Sequence, residues 1–352
     1  MAELPLLLEM QPSGLEAFVA SLGQPRFRAK QVWEWLWRGA DFTQMTNLPA
    51  ALRDALAKSA VAQPVTLHEA FPSQKDDTVK FLFSLADGNL IEGVLMRYHY
   101  GYTLCISTQV GCRMGCAFCA STLGGCVRSL ACGEMLGEVL CANRYLGERG
   151  RVGHVVLMGS GEPLDNYDNV VAFLRQIHRE DGLNISLRNI SLSTCGLVPR
   201  LNDLAREGLP VTLSISLHAP NDAIRRQIMP VARAYPLPDL MEAVRNYVRV
   251  TGRRVVFEYA LIHGVNSNAE HARELAKLVS NLQCHVNLIP LNHVDERSLA
   301  PATPREVQAF LQTLESLHVS ATCRREMGAD IAGACGQLRN RHLKNGPEPA
   351  NI

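Results

Sequence analysis

Six short apolar, β-rich runs, at 104–107, 155–158, 190–193, 211–217, 255–261 and 286–289, alternate with amphipathic helical segments over 132–145, 170–178, 198–207, 237–250, 271–282 and 304–317. Strands separated by helix-length crossovers run parallel, and right-handed crossovers curl such a sheet in one direction. The expected fold class is therefore α/β, with a partial (βα)6 barrel over residues 99–320. Reactive groups in such a sheet belong at the C-terminal ends of the strands. Ahead of the barrel, 14–59 reads as helical, with Phe27, Val32, Trp33, Leu36 and Trp37 at helical spacing and Leu48, Leu52 and Leu56 on a later face. The tryptophan cluster reads as core. From 65 to 99 the pattern shortens to strands, Val79–Phe83 and Leu90–Met96, broken at Asp87-Gly88. Residues 1–98 are thus expected to form a small N-terminal α+β accessory domain, and 321–352 a C-terminal extension.

Just after the first barrel strand comes Gly-Cys112-Arg-Met-Gly-Cys116-Ala-Phe-Cys119. Thiolates this close in sequence converge on one centre, and soft thiolates select zinc or an iron–sulfur cluster. A structural zinc site wants a fourth ligand, usually from a second Cys-x-x-Cys or a His pair, and none follows at that spacing. A cubane with three cysteine ligands keeps one iron open to other ligands. Cys126, Cys132 and Cys141 follow closely and are expected to be structural, since a fourth thiolate would block that open position. Cys195, Cys284 and Cys323 sit in apolar runs and read as core.

Composition agrees with a globular enzyme: of 352 residues, 47% are hydrophobic and 20% charged. The N-terminus lacks the basic stretch of a signal peptide, and no apolar run approaches the roughly 18 residues of a membrane span. Eleven cysteines, an odd number in a long chain, point to a reducing compartment. The expected location is cytoplasmic, without a membrane partner. The net charge of +1 decides nothing about nucleic acid, but Arg26-Phe27-Arg28-Ala29-Lys30 and the stretch from Arg324 through Arg339, Arg341, His342 and Lys344 are locally basic.

The cysteine loop after the first of six βα units resembles the radical S-adenosylmethionine enzymes. More narrowly, the chain is similar over nearly its whole length to the adenosine methyltransferases of the RlmN/Cfr family. The motifs that carry this are Thr103-Leu-Cys-Ile-Ser-Thr-Gln-Val-Gly-Cys112, Met158-Gly-Ser-Gly-Glu-Pro163, Leu192-Ser-Thr194, Ser214-Ile-Ser-Leu-His-Ala-Pro-Asn221, Ile289-Pro-Leu-Asn292 and Gly328-Ala-Asp-Ile-Ala-Gly-Ala-Cys-Gly-Gln-Leu338. The resemblance implies a [4Fe-4S] cluster on Cys112, Cys116 and Cys119. It further implies S-adenosylmethionine, two molecules per turnover, contacted by Gly161, Glu162, Ser193, Ser216, Leu217, His218 and Asn292. Read alone, several of these residues are also ordinary loop and capping types.

The target carbons of adenine are electron-poor and carry no lone pair, so direct attack on a sulfonium methyl is closed to them, whereas a thiolate makes that attack readily. The scheme the family implies divides the difficulty. Cys335 takes a methyl from one S-adenosylmethionine, and a 5′-deoxyadenosyl radical from a second removes hydrogen from that S-methyl group. The carbon radical adds to the ring, bridging protein and RNA. Glu92 is implied as the acceptor of the ring proton, and Cys105 as the thiol that attacks the sulfur of Cys335, leaving a transient disulfide. Without the resemblance, Cys105 and Cys335 would read as buried thiols and Glu92 as a solvent-facing acid on a short strand.

The implied substrate is adenosine 2503 of 23S ribosomal RNA, with adenosine 37 of some transfer RNAs, methylated at carbon-2. The N-terminal domain and basic tail would grip folded RNA while one base is splayed into the barrel. An electron donor such as flavodoxin and a monomeric state are expected. Methylation at carbon-8 is the alternative within the family, and the short segment from Asn292 to Pro304 leaves substrate range the less secure expectation. Outside the family, the competing readings are a non-catalytic RNA-binding protein with a zinc knuckle, colourless when purified, and a radical enzyme acting on a small metabolite.

Overall fold

The computed structural model describes residues 4–291, 298–324 and 327–331. Three helices open the chain, α1 (Pro12–Ser21), α2 (Phe27–Leu36) and α3 (Ala50–Ser59). Leu15, Val32, Leu36, Leu52 and Leu56 are fully buried, as the helical spacing requires. Trp33 is buried, packs edge-on against Trp37 and donates its indole N–H to the Asp181 carbonyl at 2.9 Å. Phe27 departs from expectation. It is 62% exposed at the first residue of α2, with the Arg28 guanidinium over its ring.

A single ten-stranded sheet follows. Its antiparallel part is β1 (Val65–Pro72), β2 (Val79–Leu85), β3 (Leu90–Tyr98) and β4 (Gly101–Ile106). From β4 it continues in parallel through β7 (Val152–Leu157), β8 (Ile190–Thr194), β9 (Thr212–Ser216), β10 (Val255–Leu261), β11 (Cys284–Pro290) and the short β12 (Ala321–Cys323). A separate hairpin, β5 (Gln109–Gly111) with β6 (Cys126–Ser129), frames the cysteine loop. Helices α4 (Cys132–Leu146), α5 (Tyr167–Ile177), α6 (Val198–Arg206), α8 (Leu237–Thr251), α9 (Ala269–Leu278) and α10 (Pro304–Ser316) are the crossovers, and the short α7 (Asp222–Ile228) precedes α8.

The six expected strand–helix units are all present. The strands before residue 98, however, extend the barrel sheet itself. Only His99 and Tyr100 separate β3 from β4, which pair from Val94↔Cys105 to Tyr98↔Gly101. The core is correspondingly continuous, running from Leu7 and Val32 through Leu104 and Ile106 to Phe310.

Register divides the sheet into two unlike faces, because directly opposed residues point the same way. One face, with Leu104, Val155, Ile190, Leu192, Leu213, Ile215 and Phe257, joins the main core. The other carries Lys80, Glu92, Val94, Cys105, Ser191, Ser193, Ser214, Ser216, Glu258 and Asn287. Packing alone gives no reason for hydroxyls, amides and acids there. This inner wall is where chemistry can be held.

Past β12, Arg324 donates its backbone N–H to the Leu288 carbonyl at 2.7 Å. Residues 327–331 then dock on the β1–β2 loop. Gly328 donates its N–H to Asp76 at 3.0 Å, while the Asp330 carboxylate accepts from the Ser73 hydroxyl and the Gln74 N–H, both at 2.7 Å. Met327 packs against a small cluster of Val94, Met96 and Cys105. Cys195 is buried, Cys284 half-buried and Cys323 exposed. The reading of Cys323 as core is thus corrected: its three-residue strand is the last of the sheet, with no strand beyond it.

Candidate active site

The loop carrying Cys112, Cys116 and Cys119 hangs from the β5–β6 hairpin and is fixed from several directions. Gly111 has φ of +82°, and a Cβ there would fall 2.0 Å from the Gly125 carbonyl oxygen, so only glycine fits. Cys112 donates its N–H to that carbonyl at 2.9 Å. Ala117 donates to the Ile228 carbonyl at 2.8 Å, tying the loop to α7, and the Thr122 hydroxyl donates to the Cys119 carbonyl at 2.9 Å. Phe118 meets the His218 ring edge-on at 4.8 Å.

Burial pushes the Cys112 thiol up to about 12 and raises Cys116 further. Negative charge on Cys119 would raise both of them, and charge on Cys112 would raise Cys116. Thiols that resist ionisation, as Cys112 and Cys116 do, become good ligands only when a cationic centre compensates them. Among the described residues, no three His, Cys, Asp or Glu side chains are drawn together tightly enough to share one metal ion. The donor set is three soft thiols on one loop, the chemistry that an iron–sulfur cluster takes.

The ends of the neighbouring strands form the rest of the site. After β7, Gly159 and Gly161 lie so close to β4 that a Cβ would come within 2.5 Å of the Ile106 carbonyl oxygen and 2.7 Å of the Gln109 nitrogen. The Ser107 hydroxyl accepts from the Ser160 N–H at 3.0 Å and donates to the Glu92 carbonyl at 2.8 Å. Glu162 is buried and bridges two strand ends, accepting from the Leu164 N–H at 3.0 Å and the Cys195 N–H at 2.8 Å. Burial raises its carboxyl and these donors pull it back. Each oxygen keeps acceptor capacity for a ligand ammonium. The Ser193 and Ser216 hydroxyls lie 3.3 Å apart across β8 and β9.

His218 sits at φ +54°, and its backbone N–H, like that of Leu217, donates to the Glu258 carbonyl. Its Nδ1 accepts from the Ala260 N–H at 2.9 Å, which leaves the proton on Nε2 as a donor. Burial, aided by the Arg225 charge, lowers the ring to about 3, so it is neutral at ordinary pH.

On the antiparallel side, Glu92 is not solvent-facing. It is 3% exposed and lies 3.0 Å from Nζ of Lys80, which is fully buried. Lys80, Val94 and Cys105 form one row across β2, β3 and β4. The structure thus brings together every expected site residue that it describes, apart from Glu92 and Cys105, at or beyond the C-terminal strand ends, and sets those two on the same inner wall. Asn292 and Cys335 lie outside the described residues.

Sequence reasoning missed Lys80, Arg225, Glu258 and Glu138. Glu258 accepts from the Asn287 amide at 2.7 Å, and Glu138 accepts from the Ser107 N–H at 3.1 Å from wholly buried α4 positions. A charged residue on an amphipathic segment reads as solvated, and only assembly buries these four.

The fold and the inner wall define a radical S-adenosylmethionine barrel, and the Radical SAM superfamily model matches residues 106–318. A second model, the ribosomal RNA large subunit methyltransferase N-terminal domain, matches 6–62. A relative from Desulforamulus reducens described as a probable dual-specificity RNA methyltransferase RlmN is 50% identical over 338 residues, 96% of each chain. A relative of the same description from Lachnoclostridium phytofermentans is 52% identical over 330 residues, 93% of this chain and 92% of that one. The crystal structure of a radical SAM methyltransferase from Sphaerobacter thermophilus superposes with a TM-score of 0.91 at 42% identity, covering 95% of this chain and 98% of the other. The chain belongs to the RlmN family of radical S-adenosylmethionine methyltransferases.

Proposed function

We propose that this protein is a dual-specificity RNA methyltransferase that methylates carbon-2 of adenosine 2503 in 23S ribosomal RNA and of adenosine 37 in some transfer RNAs. The observation that carries the reading is the shared inner wall. Cys105 and Glu92 occupy it beside the strand ends that carry Gly161, Glu162, Ser193, Ser216, Leu217 and His218, and Met327 brings the tail against Cys105.

In this reading Cys112, Cys116 and Cys119 hold a [4Fe-4S] cluster. Gly161, Glu162, Ser193, Ser216, Leu217, His218 and Asn292 hold S-adenosylmethionine, two molecules being used per turnover. When bound, these groups supply one-electron chemistry at a sulfonium, with electrons from a flavodoxin-type donor. Glycines at 159 and 161 let a ligand approach backbone closely, the Glu162 carboxylate receives an ammonium, and His218 offers its Nε2 proton. Cys335 belongs to the same tail motif as Gly328 and Asp330, which hold the described part of the tail against the β1–β2 loop. The motif and the packing of Met327 on Cys105 support its roles as methyl acceptor and as partner of Cys105 in a transient disulfide. Glu92 accepts the ring proton, and Lys80 keeps a cation beside it. The enzyme works as a cytoplasmic monomer, and no described helix is long and apolar enough to cross a membrane.

The test is nucleoside mass spectrometry of ribosomal and transfer RNA from a deletion strain carrying the wild-type protein or Cys335→Ala, with peptide mapping of residue 335. Carbon-2 methyladenosine with the wild type alone, and one added methylene on Cys335, support the proposal. A carbon-8 product, or an unmodified Cys335 in an active enzyme, overturns it.

A further inference from the structure

Arg225 is the most deeply buried cation beside the cysteine loop, and the sequence motifs give it no role. Its side chain is fully buried within α7. The guanidinium donates from Nη2 to the Cys195 carbonyl at 2.7 Å, from Nε to the Leu217 carbonyl at 3.2 Å and from Nη1 to the Tyr235 carbonyl at 3.3 Å, with Ser216 at 3.5 Å. Each of these acceptors is a neutral carbonyl, and the one carboxylate whose charge is felt at the guanidinium is Asp222, at the start of the same helix.

Its surroundings lead directly to the cysteine loop. Ile228, on the next turn of α7, receives the Ala117 N–H, and Cys116, Phe118 and Met114 pack on the same small core as Cys195, Ile228 and Met229. Charge on Arg225 is felt at Cys116 and at Cys195. The buried acid nearest this region, Glu162, acts on Cys112 and Cys116 in the opposite sense.

We infer that Arg225 is a positioning residue whose buried charge raises the reduction potential of the cluster held by Cys112, Cys116 and Cys119; this rests on the cluster assignment under the proposed function. Reduction adds one electron to an anionic iron–thiolate centre. A fixed positive charge in a low-dielectric setting stabilises the reduced form more than the oxidised one.

The experiment is an anaerobic, dithionite-driven redox titration of the reconstituted protein followed by electron paramagnetic resonance. Wild type, Arg225→Gln and Arg225→Lys are compared, with iron content and thermal midpoint measured on each. Arg225→Gln is expected to disfavour reduction at least tenfold, a fall of about 59 mV for one electron. Arg225→Lys keeps the charge but loses the fork, so it is expected to hold the potential while lowering the thermal midpoint.

An iron-loaded Arg225→Gln protein with the wild-type potential overturns the inference and leaves Arg225 only structural. If Arg225→Gln does not fold, Arg225→Lys decides: a wild-type potential supports the charge, and a tenfold loss refutes it. A wild-type protein that takes up no iron defeats the cluster assignment instead, which is a separate result.

Discussion

Removing one partner of the Lys80–Glu92 pair should cost far more than removing both. Lys80 is 0% exposed, Glu92 is 3% exposed, and their charged atoms lie 3.0 Å apart on the inner wall. Lys80→Met takes this cation from a buried carboxylate, and Glu92→Leu takes this carboxylate from a buried ammonium. Breaking a buried pair in this way costs about 3–5 kcal/mol. Against a native stability of roughly 5–15 kcal/mol, either loss is severe. Lys80→Met/Glu92→Leu leaves an apolar patch of similar volume, which is commonly neutral or stabilising. Additive single costs would total about 6–10 kcal/mol, whereas the double variant is expected to stay within about 2 kcal/mol of wild type. Urea denaturation of all four proteins, with midpoints multiplied by their m-values, measures this cycle. Singles costing under about 1 kcal/mol, or a double equal to their sum, would refute the reasoning. RNA methylation assays add a second readout, because a stable double variant should still lack a proton acceptor and be inactive.

Gly111→Ala forces a side chain onto the Gly125 carbonyl at φ +82°, at a cost of about 2 kcal/mol or more. Iron uptake should fall, while Gly124→Ala, which meets open space, should keep it. Replacing Cys112, Cys116 or Cys119 singly by Ala should abolish the visible absorption of the cluster. Cys132→Ser and Cys141→Ser should retain it, and a cluster lost from either would reverse their structural assignment. Because burial lowers His218 to about 3 from an ordinary 6.5, only the unfolded chain takes up its proton between those values. Its contribution to stability is complete above pH 6.5 and falls by up to about 1.4 kcal/mol per unit as pH drops toward 3. Unfolding free energies from pH 6.5 to 4.5 should therefore slope less in His218→Phe than in wild type, and equal slopes would refute a buried neutral ring.

The barrel was legible because its strands and helices are long enough to show their periods. The runs at 155–158 and 190–193 and the helices over 198–207 and 304–317 lie within a few residues of β7, β8, α6 and α10. What escaped was short or non-local. β12 has three residues, α7 seven and β5 three, too few for a pattern to emerge. That β3 pairs with β4 depends on a turn and on partners 3–11 residues away in register, information that no single strand carries. Glu92 illustrates the same limit in the site. An acid on a half-apolar strand reads as exposed until β2 supplies Lys80 diagonally across from it. The cysteine loop, by contrast, is a local pattern, with three thiols within eight residues, so it stands out in the sequence without any knowledge of the fold.

The docked tail also measures the curvature of the sheet. Arg324 is bonded to β11, next to the last strand, and Gly328 to the loop joining β1 and β2 at the other margin, only four residues later. A polypeptide that short spans at most about 14 Å. The two margins must therefore nearly meet. Parting them requires breaking the Arg324–Leu288 or the Gly328–Asp76 hydrogen bond, so two contacts at opposite ends of the sheet share one load.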